Sequence, residues 1–174
     1  VNPVYGDYLF CGIMEHSTKK LFYALKGKGS FVQVNNNKLA INCSNVSSLN
    51  EFTKIYVDDY SDYNKKTFSA NLKPFKMKSL LCSAAHYADL ASGEVDLVLE
   101  CTRKGNLEIA IAFGLVNESK GVMLTLKENS LMREHFLTFG QDHFEGIVSA
   151  STKELAKQVI QRIKSINWIM LNSF

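Results

Sequence analysis

The sequence lacks the features that define several distinct classes of protein. No two of its four cysteines are spaced as C-x-x-C, and its four histidines show no metal-ligand spacing, so a zinc site is not predicted. The 20 basic and 17 acidic residues nearly balance, so the sequence lacks the strong positive charge that is typical of a nucleic-acid-binding protein. Charges interrupt every apolar run well before the roughly 20 residues of a membrane span. We therefore expect neither a nucleic-acid partner nor a membrane partner.

The composition is typical of a packed globular domain. A hydrophobic fraction of 46% and a charged fraction of 21% are ordinary for a chain of 174 residues. No basic stretch followed by an apolar one begins the sequence, so no signal peptide is predicted. Scattered cysteines in a chain of this size are typical of reduced thiols in an intracellular protein, and we expect a cytoplasmic location.

The hydrophobic pattern predicts an antiparallel meander followed by alternating strands and helices. Strands are predicted at 8–14, 21–25, 31–34, 39–43, 54–57, 75–80, 95–101, 122–126 and 146–150. Helices are predicted up to residue 73, at 84–92, at 107–118 and after residue 151. We therefore predict the α/β class, a layered α/β sandwich in which the meander precedes a mixed sheet flanked by helices. Residues 1–52 and 53–174 are the two predicted domains.

Several polar residues are predicted to begin or end these elements. Ser83 is expected to cap the helix at 84–92, and Ser151 and Glu154 form a capping box for the last helix. The acidic segment 58–62 follows a predicted strand and has the composition of a metal site, although capping of the next helix is favoured. In the strand at 95–101, apolar residues alternate with Asp96 and Glu100.

Five short patches, in order along the chain, resemble motifs of the inositol monophosphatase family, which includes archaeal fructose bisphosphatases. Leu21–Phe31 is similar to the family's hairpin, with Ser30 for the usual Ala, and Lys78–Ala85 is similar to "RSxGSAA". Ala91–Glu100 resembles "AxGxxDxxxE", and Leu107–Ala110 resembles "WDxA". Glu118–Gly121 stands in place of "EAGG". The resemblance covers nearly the whole chain and implies a fold of the sugar-phosphatase type.

The resemblance implies Mg²⁺-dependent hydrolysis of phosphate monoesters, with carboxylates as metal ligands. Glu108 falls where the family has Asp, if the preceding loop carries one extra residue; without that insertion the position is Leu107. An acid at this place either binds a cation or simply faces the positive end of the helix dipole. The family's other ligands, a helical Glu and the loop "DPxDGT", precede this region.

Asn2–Asp7 is the only segment of the sequence that resembles "DPxDGT". If it corresponds to that loop, Asn2 and Tyr5 replace both aspartates and cannot hold two Mg²⁺ ions. Alternatively, Asn2 and Pro3 lie on a later strand and the whole loop is encoded upstream. The second alternative is favoured, because the next strand otherwise comes too early for the family's meander.

The resemblance also implies a set of substrate-binding residues. Cys82 and Ser83, after Leu81 in place of Gly, occupy the turn whose backbone N–H groups bind phosphate in the family. Glu100 occupies the position that binds sugar hydroxyls, although a solvated carboxylate at the strand end is the alternative. Lys78 replaces the family's Arg. It keeps the positive charge but cannot donate two parallel hydrogen bonds as a guanidinium does. The cluster around Lys78 binds phosphate or is a solvated basic face.

Together these residues predict a portion of a Mg²⁺-dependent phosphomonoesterase for inositol phosphate or sugar phosphates such as fructose 1,6-bisphosphate. A small-molecule phosphate ester is the expected partner, and the chain alone is expected to be inactive. The alternative is a catalytically degenerate relative that serves in binding or assembly. The apolar residues Trp168–Leu171 either complete the core or pack on another subunit, which would make a homodimer.

Overall fold

The structure, a computed structural model, describes residues 3–58, 61–80, 82–102 and 107–171, without the side chains of residues 63 and 166–171. The strands in this part of the chain are β1 Phe10–Glu15, β2 Lys20–Leu25, β3 Gly29–Val34, β4 Asn37–Ile41, β5 Ile55–Val57, β6 Met77–Lys78, β7 Leu97–Cys101, β8 Val122–Thr125 and β9 Gly146–Ala150. The α-helices are α1 Asp62–Asn64, α2 Ser83–Ala91, α3 Leu107–Glu118 and α4 Lys153–Leu171. None of the described helices is long and apolar enough to cross a membrane.

Strands β1 to β4 form an antiparallel meander in sequence order. Each strand pairs with the next, for example Tyr23 with Phe31, and short turns join them. Gly27 and Asn35 adopt left-handed backbone conformations in two of these turns, with φ of 70° and 53°. Gly and Asn tolerate this conformation better than other residues, so the turn residues confirm the predicted meander.

The second sheet is mixed and has the strand order β6-β5-β7-β9-β8. Strand β5 is parallel to both β6 and β7, whereas β9 is antiparallel to β7 and β8. Helices precede β7 and β8 and also follow β9. The predicted mixed sheet flanked by helices is therefore confirmed.

The described elements stack in four layers: the meander, then α2 with α3, then the mixed sheet, then α4. One apolar core joins the meander to α2 and α3 through Phe22, Ala24, Ala88, Ala91 and Leu115. A second core lies between these helices and the mixed sheet, and a third lies between that sheet and α4. The division at residue 52 stays a prediction, and side chains from both of its sides share the first core.

Strand β7 differs from the predicted alternation. All five of its residues are buried, and Asp96, immediately before it, is also buried. Central parallel strands are covered on both faces, which overrides an alternating pattern. Asp96 accepts hydrogen bonds from the Ser44 hydroxyl (2.6 Å) and the Lys54 N–H (2.8 Å), so its carboxylate joins the segment after β4 to the start of β5.

Several predicted boundaries also need correction. Ser83 is the first residue of α2 and Cys82 occupies the cap position, so the predicted Ser83 cap is wrong. Thr152, rather than Ser151, accepts the hydrogen bond from the Leu155 N–H at 3.3 Å, and both hydroxyls donate to the Val46 carbonyl.

The edge region around the short helix α1 shows the other differences. The predicted strand at 75–80 is only Met77–Lys78. The helix predicted up to residue 73 is α1 followed by a π-helical turn, Lys65–Ser69, which buries Phe68, and then by turns that bury Leu72. Within the acidic segment 58–62, Ser61 caps α1 by accepting from the Asn64 N–H at 3.1 Å.

Candidate functional site at the carboxyl edge of the mixed sheet

The carboxyl ends of three parallel strands meet at one edge of the mixed sheet. Asp58 follows β5, Glu100 lies near the end of β7, and Cys82 and Ser83 begin α2, which follows β6. Helix α3 also begins on this side, shortly after β7. Ligands of open α/β sheets bind at such edges, and helix N-termini there favour anions.

Glu100 lies inside this edge with only 1% of its surface exposed. Its carboxylate is close to two buried phenols. Burial raises the pKa of Tyr87 and of Tyr5, and the negative charge of Glu100 raises both further. The alternative of a solvated carboxylate at the strand end is therefore wrong.

The charges of several carboxylates act on the buried thiol of Cys101. Burial raises the pKa of Cys101, and the charges of Glu100, Asp58 and Glu145 add to this effect in that order. The same region is closed by Thr102, whose N–H donates to the Glu145 carbonyl at 2.9 Å and whose hydroxyl accepts from the Glu145 N–H at 2.9 Å. The edge of the sheet is thus acidic and largely closed.

The turn before α2 is held by His86. Its imidazole is fully buried, packs against the tilted ring of Tyr56 with centroids 5.1 Å apart, and accepts a hydrogen bond from the Leu80 N–H at Nε2 (2.9 Å). The His86 N–H also donates to the Cys82 carbonyl at 3.2 Å. The Leu80 N–H, just before the predicted phosphate-binding turn, therefore has the His86 ring as its acceptor, and Leu81 lies outside the described residues.

The structure separates the predicted substrate residues. Cys82 is exposed and lines a cavity of about 410 Å³ between the end of β1 and α2, together with His16. Lys78 lines a different cavity of about 580 Å³ beside the sheet edge, with Tyr56 and Asp89. Neither cavity is lined by Ser83, Glu100 or Glu108. Among the cavities lined by described residues, Lys78 and Cys82 therefore lie in different ones.

The predicted metal ligand, Glu108, is exposed in the first turn of α3. Across residues 3–58, 61–80, 82–102 and 107–171, no three His, Cys, Asp or Glu side chains are grouped so that they could hold a metal ion. Because Mg²⁺ is held by several oxygen ligands, the described residues do not by themselves fit this ion.

The sequence model of the inositol monophosphatase family matches residues 2–167. The chain belongs to the inositol monophosphatase family. The predicted resemblance is thereby confirmed, and the fold is of the phosphatase type. A search of curated protein sequences found no match.

Solved structures with similar folds are longer than this chain. An inositol monophosphatase from Thermotoga maritima superposes with a TM-score of 0.71 at 18% identity, over 95% of this chain and 59% of its own. The inositol monophosphatase from Anabaena (Nostoc) sp. superposes with a TM-score of 0.69 at 16% identity, over 88% of this chain and 60% of its own. A hypothetical protein from Pyrococcus horikoshii with similarities to inositol-1 monophosphatase superposes with a TM-score of 0.66 at 20% identity. The match covers 88% of this chain and 56% of that protein. The likeness shows the fold, and the chain spans 56–60% of the length of these structures.

In the segment that resembles the family's loop "DPxDGT", Tyr5–Asp7 adopts a 3₁₀ turn. Pro3, which was expected on a strand, lies in none. The Asp7 carboxylate accepts from the Val4 N–H at 3.0 Å within this turn. Tyr5 is buried among aromatic rings that include Phe113, 5.9 Å away between centroids. Asn2 lies outside the described residues.

Two family patches meet through Glu118, a contact that sequence reasoning missed. The Glu118 carboxylate accepts hydrogen bonds from the N–H groups of Gly27 (2.8 Å) and Gly29 (2.9 Å) and from the Tyr8 hydroxyl (2.8 Å). Burial opposes ionisation of Glu118, but the two glycine N–H groups and Tyr8 outweigh it and lower its pKa. Burial, reinforced by Glu118, raises the pKa of Tyr8 to about 12. This link fixes the end of α3 against the turn between β2 and β3.

Proposed function

We propose that the chain is a portion of a Mg²⁺-dependent phosphomonoesterase that acts on inositol phosphate or a sugar phosphate such as fructose 1,6-bisphosphate. The family match over residues 2–167 carries this proposal. The carboxyl edge of the mixed sheet supports it, because α2 begins there and a helix N-terminus favours an anion such as phosphate. A small-molecule phosphate ester is the proposed partner.

The chain's own residues have limited roles in this proposal. The N-terminal turn of α2, with Cys82 and Ser83, would bind the phosphate, and Lys78 would add positive charge along its approach. Glu100 would bind a sugar hydroxyl only after the buried edge opens, because it is 1% exposed. Glu108 would supply one carboxylate toward Mg²⁺, an ion that activates water and neutralises phosphoryl charge.

The proposal includes an incomplete site in this chain. The described residues offer no metal-holding group, and the chain spans 56–60% of the length of its solved relatives. The missing carboxylates would come from the portion of the family fold outside this span. A cytoplasmic location, a homodimer and the domain division at residue 52 also remain predictions.

Phosphate release tests this proposal directly. The 174-residue chain is incubated with Mg²⁺ and inositol 1-phosphate or fructose 1,6-bisphosphate, and inorganic phosphate is measured. We expect no Mg²⁺-stimulated release. Glu154→Gln is the matched control for Glu108→Gln, since Glu154 is also exposed in the first turn of a helix. Turnover that is lost in Glu108→Gln and kept in Glu154→Gln would show that the site is complete.

A degenerate relative used for binding or assembly is the second candidate. The closed edge around Glu100 favours it, because a 1% exposed carboxylate is poorly placed to meet a substrate. The coding sequence upstream of Val1 separates the two candidates. Intact metal-binding motifs there would exclude the degenerate relative, whereas a coding sequence without them would exclude the phosphatase.

A further inference from the structure

Residues 4–8, the strap, lie against the loop that follows β8. The Tyr5 N–H donates to the Glu134 carbonyl at 3.0 Å, and Val4 forms an isolated antiparallel bridge with His135. The strap belongs to neither of the two sheets. It is therefore held by contacts between two irregular segments, and it can move without breaking a strand pairing of the meander or of the mixed sheet.

The strap inserts one aromatic side chain into the molecule. Tyr5 is 2% exposed, and its ring packs on three others with centroids 5.9 to 6.3 Å away, those of Phe113, Phe136 and Phe139. Burial raises the pKa of the Tyr5 phenol, and the negative charge of Glu100 raises it further. The ring therefore lies close to the carboxylate that the proposed function assigns to a sugar hydroxyl.

The hydroxyl of Tyr5 opposes this packing. Among the residues that the structure describes, the buried Tyr5 hydroxyl has no hydrogen-bond partner. Buried polar groups are normally paired, and an unpaired one costs free energy that contact with water would recover. The aromatic contacts favour the closed strap, whereas the unpaired hydroxyl favours its opening. The closed strap is thus less stable than its ring packing alone would make it.

Gly6 allows the strap to approach the loop closely. A Cβ at this position would lie 2.9 Å from the backbone carbonyl oxygen of Met132, which is closer than real Cβ contacts. Because the obstacle is backbone, an alanine at this position should push the strap away from the loop. Such a change leaves the side chains of Tyr5 and Glu100 unaltered.

We infer that the strap is a built-in lid on the buried Glu100 edge, with Tyr5 as its plug. In the closed arrangement the phenol takes the place beside Glu100 that a ligand hydroxyl would need, and the strap must move before a polyol can bind. The apparent affinity for such a ligand is reduced by the fraction of molecules whose strap is closed. The inference rests on the proposed function, since Glu100 is the hydroxyl-binding residue of that site.

Two variants move the strap in opposite directions. Gly6→Ala is the wedge that opens it. The double variant Val4→Cys with His135→Cys is the lock. Because the Tyr5 N–H donates to the Glu134 carbonyl, Val4 and His135 form a non-hydrogen-bonded pair, whose Cα atoms are typically about 4.5 Å apart. A disulfide spans this distance, so oxidation holds the strap closed and dithiothreitol releases it.

Hydrogen exchange at the Tyr5 N–H measures opening, and titration with myo-inositol, followed by nuclear magnetic resonance, measures access to Glu100. This probe carries hydroxyls and no phosphate, so its binding needs neither Mg²⁺ nor turnover. In Gly6→Ala we expect exchange at least about tenfold faster and binding at least about tenfold tighter than in the unmodified chain. Gly12→Ala is the matched control, because a Cβ there would meet the Phe10 ring, outside the strap.

The oxidised lock should bind myo-inositol at least about tenfold more weakly than its reduced form. Glu100→Gln in the Gly6→Ala background should remove the gained affinity. Glu145→Gln is the control for that change, because the Glu145 carboxylate contacts His143 at 2.8 Å. Circular dichroism checks the folding of each variant, and Tyr5→Ser replaces Gly6→Ala if the latter unfolds.

Tyr5→Phe tests the role of the hydroxyl. It keeps the ring and removes the unpaired group, so we expect slower exchange at residue 5 and weaker myo-inositol binding than in the unmodified chain. Faster exchange in Tyr5→Phe would overturn the inference that the hydroxyl favours opening.

Three further outcomes would overturn the inference, and they separate its two parts. Unchanged exchange at Tyr5 in Gly6→Ala, or equal affinity in the oxidised and reduced lock, would show that the strap is not a lid. Faster exchange in Gly6→Ala without any myo-inositol binding would show that the strap opens but that Glu100 accepts no ligand hydroxyl. That last result would count against the proposed function as well.

Discussion

At the scale of single residues, a buried carboxylate and a half-buried one hold segments together that are distant in sequence. Asp96 joins the segment after β4 to β5, and Glu118 joins α3 to the turn after β2. Both residues belong to patches that carry the family resemblance. Their hydrogen-bond partners are backbone N–H groups and hydroxyls, so the structure assigns them a positioning role in the fold.

Replacement of Glu118 should lower stability measurably. Glu118→Gln keeps the shape but removes the charge that Gly27, Gly29 and Tyr8 stabilise, and hydrogen bonds to charged groups are each worth about 1.5–3 kcal/mol. We expect a loss of about 1–3 kcal/mol in the free energy of unfolding, measured by urea denaturation. The exposed Glu51→Gln is the control, and an equal loss in both variants would contradict the link.

The contribution of Glu118 should depend on pH in a defined direction. Its pKa in the folded chain is lower than the usual value of 4.5, so the folded state favours the charged form. The stabilisation is complete above the pKa of the unfolded chain and is lost as the pH falls through the folded pKa. The stability difference between the unmodified chain and Glu118→Gln should therefore be constant near pH 7 and shrink below pH about 4.5. A difference that grows on acidification would contradict the assignment.

Asp96 gives a second test at this scale. Asp96→Ala leaves the Lys54 N–H without its acceptor at a site that is 5% exposed in the native chain. An unsatisfied buried donor costs about 1–3 kcal/mol, and we expect this loss in thermal or urea unfolding. Asp96→Asn should recover part of it, because the amide oxygen still accepts. Equal stability of the Ala and Asn variants would show that the hydrogen bonds contribute little.

At the scale of elements, close contact between α3 and β1 depends on Gly114. A Cβ at this position would overlap the Cys11 sulfur and come within 2.8 Å of the Tyr8 ring. Alanine is a better helix former than glycine by about 1 kcal/mol, so Gly114→Ala would stabilise an isolated helix. In the folded chain we expect net destabilisation of about 1–3 kcal/mol, because overpacking outweighs propensity. A higher melting temperature for Gly114→Ala would contradict this packing.

The turn that leads into α2 offers a second test among the elements. The His86 imidazole accepts the Leu80 N–H, so its loss should expose that amide to solvent. In His86→Ala, hydrogen exchange at Leu80 should accelerate by at least about tenfold, which reports local opening. His143→Ala is the control, since that side chain is 72% exposed. Unchanged exchange at Leu80 would show that other contacts hold the turn.

At the scale of the whole molecule, sequence reasoning predicted the class, the meander and the order of strands and helices. Helix α3 and strand β9 have the predicted bounds, because a long apolar segment and a compact apolar run leave little ambiguity. The burial of Glu100 was not predictable, since it depends on the two layers that enclose β7. The separation of Lys78 from Cys82 into different cavities likewise follows from tertiary packing around a two-residue strand.

The central claim is that these residues form a phosphatase-type fold whose metal site is incomplete within this chain. Isothermal titration of the 174-residue chain with Mg²⁺, in the presence of inositol 1-phosphate, tests it most directly. Hard cations require several oxygen ligands, so one exposed carboxylate at Glu108 predicts no saturable binding at concentrations up to about 1 mM. Saturable Mg²⁺ binding that disappears in Glu108→Gln and persists in Glu154→Gln would contradict the claim.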